Sequence, residues 1–347
     1  MTENFPLFRL PYVALSSVLD HVGPQRLFLL SVCSSKSKHL VKLYRGPSKS
    51  VELEVDIGIC DIVSCKEKHK TWDTTLARVY STSGVPEKHL EEMETVRIGK
   101  SKIPIQFGFH ALPNSTPPSL MTFWIDIIQG FIELGNYARE IFQRDIDSMA
   151  FGKEVRENGH NSALDWVNRV QKSVGSIYLK PTYHYRNYSY FLENLRVTRQ
   201  LSLYLKPPWS MNGNLGSGYI ENVWIDPSYW VTRKMLLNMD CTNIALFKSE
   251  LTSSDINKFL FNWINGKGCL RLKEIRVDLE SGPIDIEAVL HGLEVERREP
   301  NEVTELTTYY GRRLRFQGGL HIQRKFDGAK AAVDYTWPSC RFWLILI

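Results

Sequence analysis

The chain has 347 residues, 43% hydrophobic, 12% aromatic and 23% charged, with a formal net charge of +5. This composition excludes a disordered or low-complexity chain, and the length suits roughly two domains with substantial cores. The mild positive charge is explained by ordinary solvation as well as by a nucleic-acid partner, and the six scattered cysteines form no disulfide framework, which points to a reducing compartment.

Glu3 stands among the first residues, with no basic stretch leading into an apolar one, so no signal peptide is expected. The most apolar run, Leu120 to Leu134, carries Asp126 and Glu133 and falls short of the ~20 residues of a spanning helix. The expected location is intracellular, in the cytoplasm, the nucleus or both, with no membrane partner. The acceptor patterns at Asn114 and Asn187 are then chance matches.

Residues 5–44 hold three short helix signals. Pro11 suits the first position of a helix with Leu15, Val18, Leu19 and Val22 as its apolar stripe. Gly23 is placed to end it as a left-handed cap, and Pro24 starts a second helix with Leu27, Leu29 and Leu30. Ser34 or Ser35 can cap a third, with Leu40, Val41 and Tyr44 apolar and Lys36, Lys38 and Lys42 on the wet side. Gly46-Pro47 ends the unit. So small a unit buries little surface alone, and its leftover apolar face calls for a partner.

Phe5-Pro6-Leu7, Leu10-Pro11, Leu15, Val18-Leu19, Leu27, Leu30-Ser31 and Ser34 to Lys36 resemble an F-box, in the FPLxxLP variant abundant in a large nematode family. The Trp common in the third F-box helix is absent; Ser, Lys and His stand there. The resemblance implies docking onto a Skp-type adaptor and, through it, a cullin scaffold. The implied adaptor-binding residues are Leu7, Leu10, Pro11, Leu15, Val18, Leu19, Leu27 and Leu30. Leu10 and Pro11 would insert at the interface, and the other leucines and Val18 would be shared between core and adaptor groove.

Beyond Val51 the pattern changes. Val51 to Ile57 alternates as a half-buried strand, and Ile103 to Phe109 is a second candidate after a polar stretch of weak period. Pro113 to Pro118 is a loop. Trp124, Ile127, Ile128, Phe131 and Ile132 mark an amphipathic helix, interrupted at Gly135 and resumed over Tyr137 to Ile146. Then come a strand at Ser148 to Phe151, a helix over Ala163 to Gln171, and strands at Gly175 to Leu179, Leu201 to Leu205 and Asn243 to Phe247. Ser253 can cap a helix with Ile256, Phe259, Leu260, Trp263 and Ile264 as its face and Gly266 as its stop. A strand through Leu272, Ile275, Val277 and Leu279 and a helix over Ile284 to Leu290 follow. Asp327-Gly328 signals a hairpin, and Phe342 to Ile347 a terminal strand.

Strand and helix alternate at intervals of about 25–45 residues, as in an irregular leucine-rich-type repeat, with right-handed crossovers giving a largely parallel sheet. The expected fold is mixed α/β: a three-helix unit at 1–46, then, over 51–347, a leucine-rich-repeat-like array ending in an antiparallel β element, with a sub-boundary near 110–120. This long region resembles the type 2 F-box-associated domain of the same nematode family. Leu164-Asp165-Trp166, Leu251 to Leu260 with Trp263 to Gly266, and Ile322-Gln323-Arg324 leading to Asp327-Gly328 carry the resemblance. In that family the domain is taken to bind substrates for ubiquitination.

Motifs of catalysis are missing. Cys60-x4-Cys65-x3-His69, with His89 or Glu67 as the nearest fourth ligand, departs from structural zinc spacing and reads as incidental thiols. Gly213 to Gly218 lacks the spacing of a phosphate loop, and no cofactor is expected. The basic tail, with Arg312, Arg313, Arg315, Arg324, Lys325 and Lys330, reads as the wet face of strands rather than a phosphate-binding surface. The leading expectation is a non-catalytic substrate receptor of an SCF-type ubiquitin ligase, holding an unidentified target protein. The alternatives are an interaction module without a ubiquitin role and, less favoured, a basic nucleic-acid-associated protein.

Overall fold

The computed structural model describes residues 7–45, 51–67, 74–108, 119–153, 158–180, 188–207, 215, 218–280, 282–309, 311, 313–336 and 340–347. They divide into two compact units, Met1–Val174 and Gly175–Ile347. The mixed α/β class is as expected from the sequence.

The first unit opens with a short turn, Leu7–Arg9, and three helices: α1 (Tyr12–Asp20), α2 (Pro24–Val32) and α3 (Ser35–Arg45). Then follow β1 (Val51–Ile57), β2 (Ile62–Glu67), β3 (Thr74–Ser81), α4 (Glu87–Glu92), β4 (Glu94–Ile98), β5 (Ser101–Gly108), β6 (Ser119–Trp124), α5 (Ile127–Phe142), β7 (Ile146–Phe151) and α6 (Gly159–Val170). The strand order is β7-β1-β2-β3-β6-β5-β4. β1 runs parallel to β7 and β3 parallel to β6, and the other neighbours are antiparallel.

Five local expectations are corrected here. Pro11 is the N-cap of α1 rather than its first residue, and Gly23 is extended (φ −64°), serving as N-cap of α2. Helix α1 closes at His21 without a left-handed residue. Trp124 lies at the end of β6, and its ring fills the space beside Gly130, where a Cβ would fall 2.7 Å from Cγ. Helix α5 runs unbroken through Gly135 and stops at Phe142, short of Ile146. The reason is packing: a Cβ on Gly135 would stand 2.5 Å from Cη2 of Trp166, so the glycine admits the ring of α6 instead of breaking the helix. Asp126 caps α5, accepting from the N–H of Ile128 (2.9 Å) and Gln129 (3.2 Å), and left-handed Gln143 (φ 51°) ends it. Its buried stripe of Ile128, Phe131, Leu134, Ala138 and Ile141 lies on β1, β3 and β6. On α6, His160 is fully buried, edge-on to Phe151 (centroids 5.2 Å apart). Burial pushes it down to about 4, only partly offset by a backbone hydrogen bond with Lys153.

The second unit contains β8 (Val174–Leu179), α7 (Tyr188–Glu193), β9 (Val197–Leu203), β10 (Ile220–Ile225), α8 (Arg233–Asn238), β11 (Cys241–Ser249), α9 (Ser253–Ile264), β12 (Glu274–Leu279), α10 (Ile286–Leu290), β13 (Val295–Thr307), β14 (Arg313–Gln323), β15 (Lys330–Thr336) and β16 (Arg341–Leu346). The strand order is β8-β9-β10-β11-β12-β16-β15-β14-β13. From β9 to β12 the pairs are parallel and in chain order, and from β12 through β16 to β13 they are antiparallel. Both the parallel run and the antiparallel finish accord with the pattern in the sequence. Period-2 alternation puts Val223, Ile244 and Ile275 in the core and Asn222, Asn243 and Glu274, in register, on the opposite face.

Candidate functional site

The N-terminal helices are fastened to the sheet layer through one side of α5. Phe28 of α2 is fully buried and meets the ring of Tyr137 edge-on, centroids 5.5 Å apart at 84°. Tyr137 donates to Ser31 Oγ (3.2 Å), which donates to the Phe28 carbonyl (2.6 Å). Burial pushes the Tyr137 phenol up to about 12, against the lowering pull of Ser31. From α3, Lys38 reaches Glu140 (2.7 Å) and lies 4.8 Å over the Tyr137 ring, Lys42 is 3.5 Å from Glu140, and Gln143 donates to the Lys42 carbonyl (2.8 Å). Burial alone would raise the Glu140 carboxyl; the bond and charge of Lys38, with Lys42, hold it below the usual range. Lys38 and Lys42 are therefore tied to α5 rather than free on a wet face. Ser34 caps α3, as read from the sequence, by accepting from Ser37 N (3.1 Å), and Tyr44 is bonded to Asp20 across the helices.

The eight residues assigned to adaptor binding separate by burial. Leu15 (4% exposed), Leu19 (1%) and Leu27 (0%) are core. Leu7, Leu10 and Leu30 are half-buried, Pro11 is exposed and Val18 is 40% exposed. Two apolar side chains absent from the sequence-based set stand further out: Tyr12 (56%) and Val13 (78%). Tyr12 and Val13 gave no signal because a helix's first turn carries too few residues to define a period.

The C-terminal motifs converge on α9. Its cap is Thr252, not Ser253. Thr252 Oγ1 accepts from Asp255 N (3.3 Å), and the Asp255 carboxylate accepts from Thr252 N (2.8 Å), a reciprocal capping box. Burial would raise Asp255, but the Thr252 bonds and the Arg233 ion pair hold it below its usual value. At the other end Gly266 (φ 67°) lies against Phe326, and Lys325 N donates to the Ile264 carbonyl (2.9 Å). Arg324 lies 5.1 Å over the ring of fully buried Trp263, grips Asp327 through two bonds (2.9 and 2.6 Å) and donates to the Leu270 carbonyl (2.7 Å). This corrects the reading of the tail as uniformly wet: Arg324 is 6% exposed and structural, while Arg313, Arg315, Lys325 and Lys330 are exposed and Arg312 lies outside the described residues.

The polar row of the second unit is also closed. Asn243 donates to Asn222 Oδ1 (2.7 Å), Asn222 to Tyr309 Oη (2.9 Å), and Glu274 accepts from Trp343 Nε1 (2.9 Å) and Tyr309 N (2.8 Å). Among the described residues no group of three His, Cys, Asp or Glu side chains is arranged for a metal ion. Cys65 is buried in β2, Cys60 is exposed, and His69 lies outside the described residues, as do both glycosylation patterns' asparagines and Gly213 and Gly216. Burial pushes the thiols of Cys241 and Cys269 up, the latter to about 11, so both stay protonated near neutrality.

Comparison with known families places names on these regions. The F-box domain family matches residues 7–46, and the F-box associated family matches residues 212–277. The chain has an F-box followed by an F-box-associated domain, the arrangement of nematode F-box proteins. It is similar to the Skn-1 dependent zygotic transcript 15 protein of Caenorhabditis elegans, 22% identical over 356 residues that cover 95% of this chain and 94% of that protein. No solved structure matches the chain at a significant level. The F-box match contains α1, α2 and α3. The associated match contains β10, α8, β11 and α9, and with them the Leu251 to Gly266 block; Trp166 and the Arg324–Asp327 pair lie outside it. Trp166 packs on Gly135 and donates to Asn136 (3.0 Å), so the motifs that carry the family resemblance are packing devices. No helix among the described residues is long and apolar enough to cross a membrane.

Proposed function

We propose that the chain is the substrate-recognition subunit of an SCF-type ubiquitin ligase. The F-box, residues 1–46, would hold a Skp-type adaptor and through it a cullin scaffold, and the region behind it would hold a target protein. The receptor supplies no catalytic group; it raises the effective concentration of target lysines near an activated ubiquitin delivered by other subunits. Work of this kind belongs in the cytoplasm or nucleus.

The observation that carries the reading is the division of labour in the F-box. One set of apolar residues is spent on the internal core and on α5, while Pro11, Tyr12, Val13 and Val18 stand uncovered on and before α1. Apolar side chains left out in this way on a small helical unit support a protein partner. The test is co-purification with a Skp-type adaptor after co-expression. Leu10→Ala with Pro11→Ala, joined by Val18→Ser, should abolish it while circular dichroism and melting stay near wild type, because none of the three is core. Absence of adaptor binding by the wild-type chain at micromolar concentration would overturn the reading. It would favour an interaction module in which α3, lacking the third-helix Trp and tied to Glu140, serves only the fold.

A further inference from the structure

We infer that the groove between the C-terminal end of α2 and the β4–β5 hairpin takes an extended acidic segment of the target, laid along β4. This rests on the reading of the chain as a receptor, and it names the chemistry of what is received. The groove encloses about 830 Å³, ample for several side chains. Its lining is apolar at Leu29, Leu30, Val96 and Phe107, the last 48% exposed. Its charged lining is Arg26, Lys38 and Arg97 against the single carboxylate of Glu94. Lys38 is committed to Glu140, but Arg26 and Arg97 are exposed and form no ion pair among the described residues. The groove is therefore left positive, and carboxylates are its complement.

The backbone argues for an extended occupant. β4 is the last strand in the order of the first unit, so one of its edges has no strand partner among the described residues. Glu94, Thr95, Val96 and Arg97 all line the groove. A free edge is a template for one more strand, with main-chain bonds giving affinity and alternate side chains giving selectivity. A segment that alternates apolar and acidic residues meets both halves of the lining, one row on Leu29 and Phe107 and the other toward Arg26 and Arg97. No residue of α1 lines the groove, and of the adaptor-binding set only Leu30, on α2, does, so the residues exposed on and before α1 and the groove are different surfaces of the same unit.

The probe is a fluorescein-labelled peptide of about eight residues alternating Glu and Val, with its Lys–Val counterpart as control. Anisotropy with the full chain should show the acidic peptide bound about tenfold or more tightly than the basic one, with affinity falling as salt rises. Arg26→Glu with Arg97→Glu, both at exposed positions, should reverse that preference and leave adaptor co-purification intact. Hydrogen exchange should show β4 amides protected by the acidic peptide. Equal binding of the two peptides, indifference to the double variant, or protection confined to other elements would each overturn the inference while leaving the receptor reading to its own test. Acidic binding with β4 protection in a chain that fails to capture the adaptor would sustain the groove and remove the ubiquitin role.

Discussion

Where the C-terminal hairpin meets α9, Arg324 stacks on Trp263, pairs with Asp327 and caps the Leu270 carbonyl. Where the F-box meets the sheet of the first unit, Lys38 pairs with Glu140, yet Arg26 and Arg97 line a groove that holds one carboxylate, Glu94, and form no ion pair among the described residues. Both regions are rich in basic residues. In one the chain closes its own charges, and in the other it leaves two open. Under the inference above, the difference locates where a partner would bind, which net charge alone does not.

The largest effects should come from the aromatic keystones of the two junctions. Trp263→Ala and Phe28→Ala each remove a fully buried ring and should cost about 3–5 kcal/mol in urea denaturation. A cost near zero at Trp263 would break the comparison, since Arg324 would then be held by Asp327 and the Leu270 carbonyl without its ring. Acid probes the first unit separately. His160 is pushed down to about 4 in the fold from an ordinary 6.5, so the unfolded chain takes up the proton first. Stability should be full above pH 6.5, fall on the order of 3 kcal/mol as pH drops toward 4, and fall no further through this group. His160→Phe should remove that component from a pH series of melting curves.

Gly135→Ala sharpens the packing account of α5. Its Cβ would meet the Trp166 ring at 2.5 Å, an overpacking cost of roughly 1–3 kcal/mol, partly offset by the about 1 kcal/mol gained in helix propensity. Thermal melting should show net destabilisation; a gain would mean the ring moves freely. The smallest effect is expected at Glu140→Gln, which weakens half-exposed pairs with Lys38 and Lys42 and should cost under about 1 kcal/mol. Its signature is loss of even that cost at high salt.

What could be read from the sequence follows from burial. β1, β11, β12 and β16 were legible because their apolar periods record a core on at least one face. β4 (ETVRI) and β13 (VERREPNEVTELT) were not, and both are the end strands of their order, where one side has no strand to pair with and charge replaces periodicity. Gly135 misled because helix breaking and close approach call for the same residue, and only Trp166, 31 positions on, distinguishes them. The adaptor-binding set falls on the Leu7–Arg9 turn and its sequel, α1 and α2. Separating Leu15, Leu19 and Leu27 from Pro11 and Val18 required knowing that Phe28, not a leucine, anchors α2 on Tyr137. The groove was illegible because it joins residues 26–38 to residues 94–107 through an edge strand that left no trace.

The unbroken run of α5 through Gly135 also sets a rule of reach. The F-box helices and β4 belong to one compact unit, with α5 packed against both, so under the proposed function the place where a ligase would hold the chain and the place where it would hold a target lie in the same unit. A ubiquitin acceptor would then be brought across the remaining gap by slack in the target itself. Under the proposed function, lysines too close along the chain to the captured segment would be spared, and the length of the target's own tether would decide which lysine is marked.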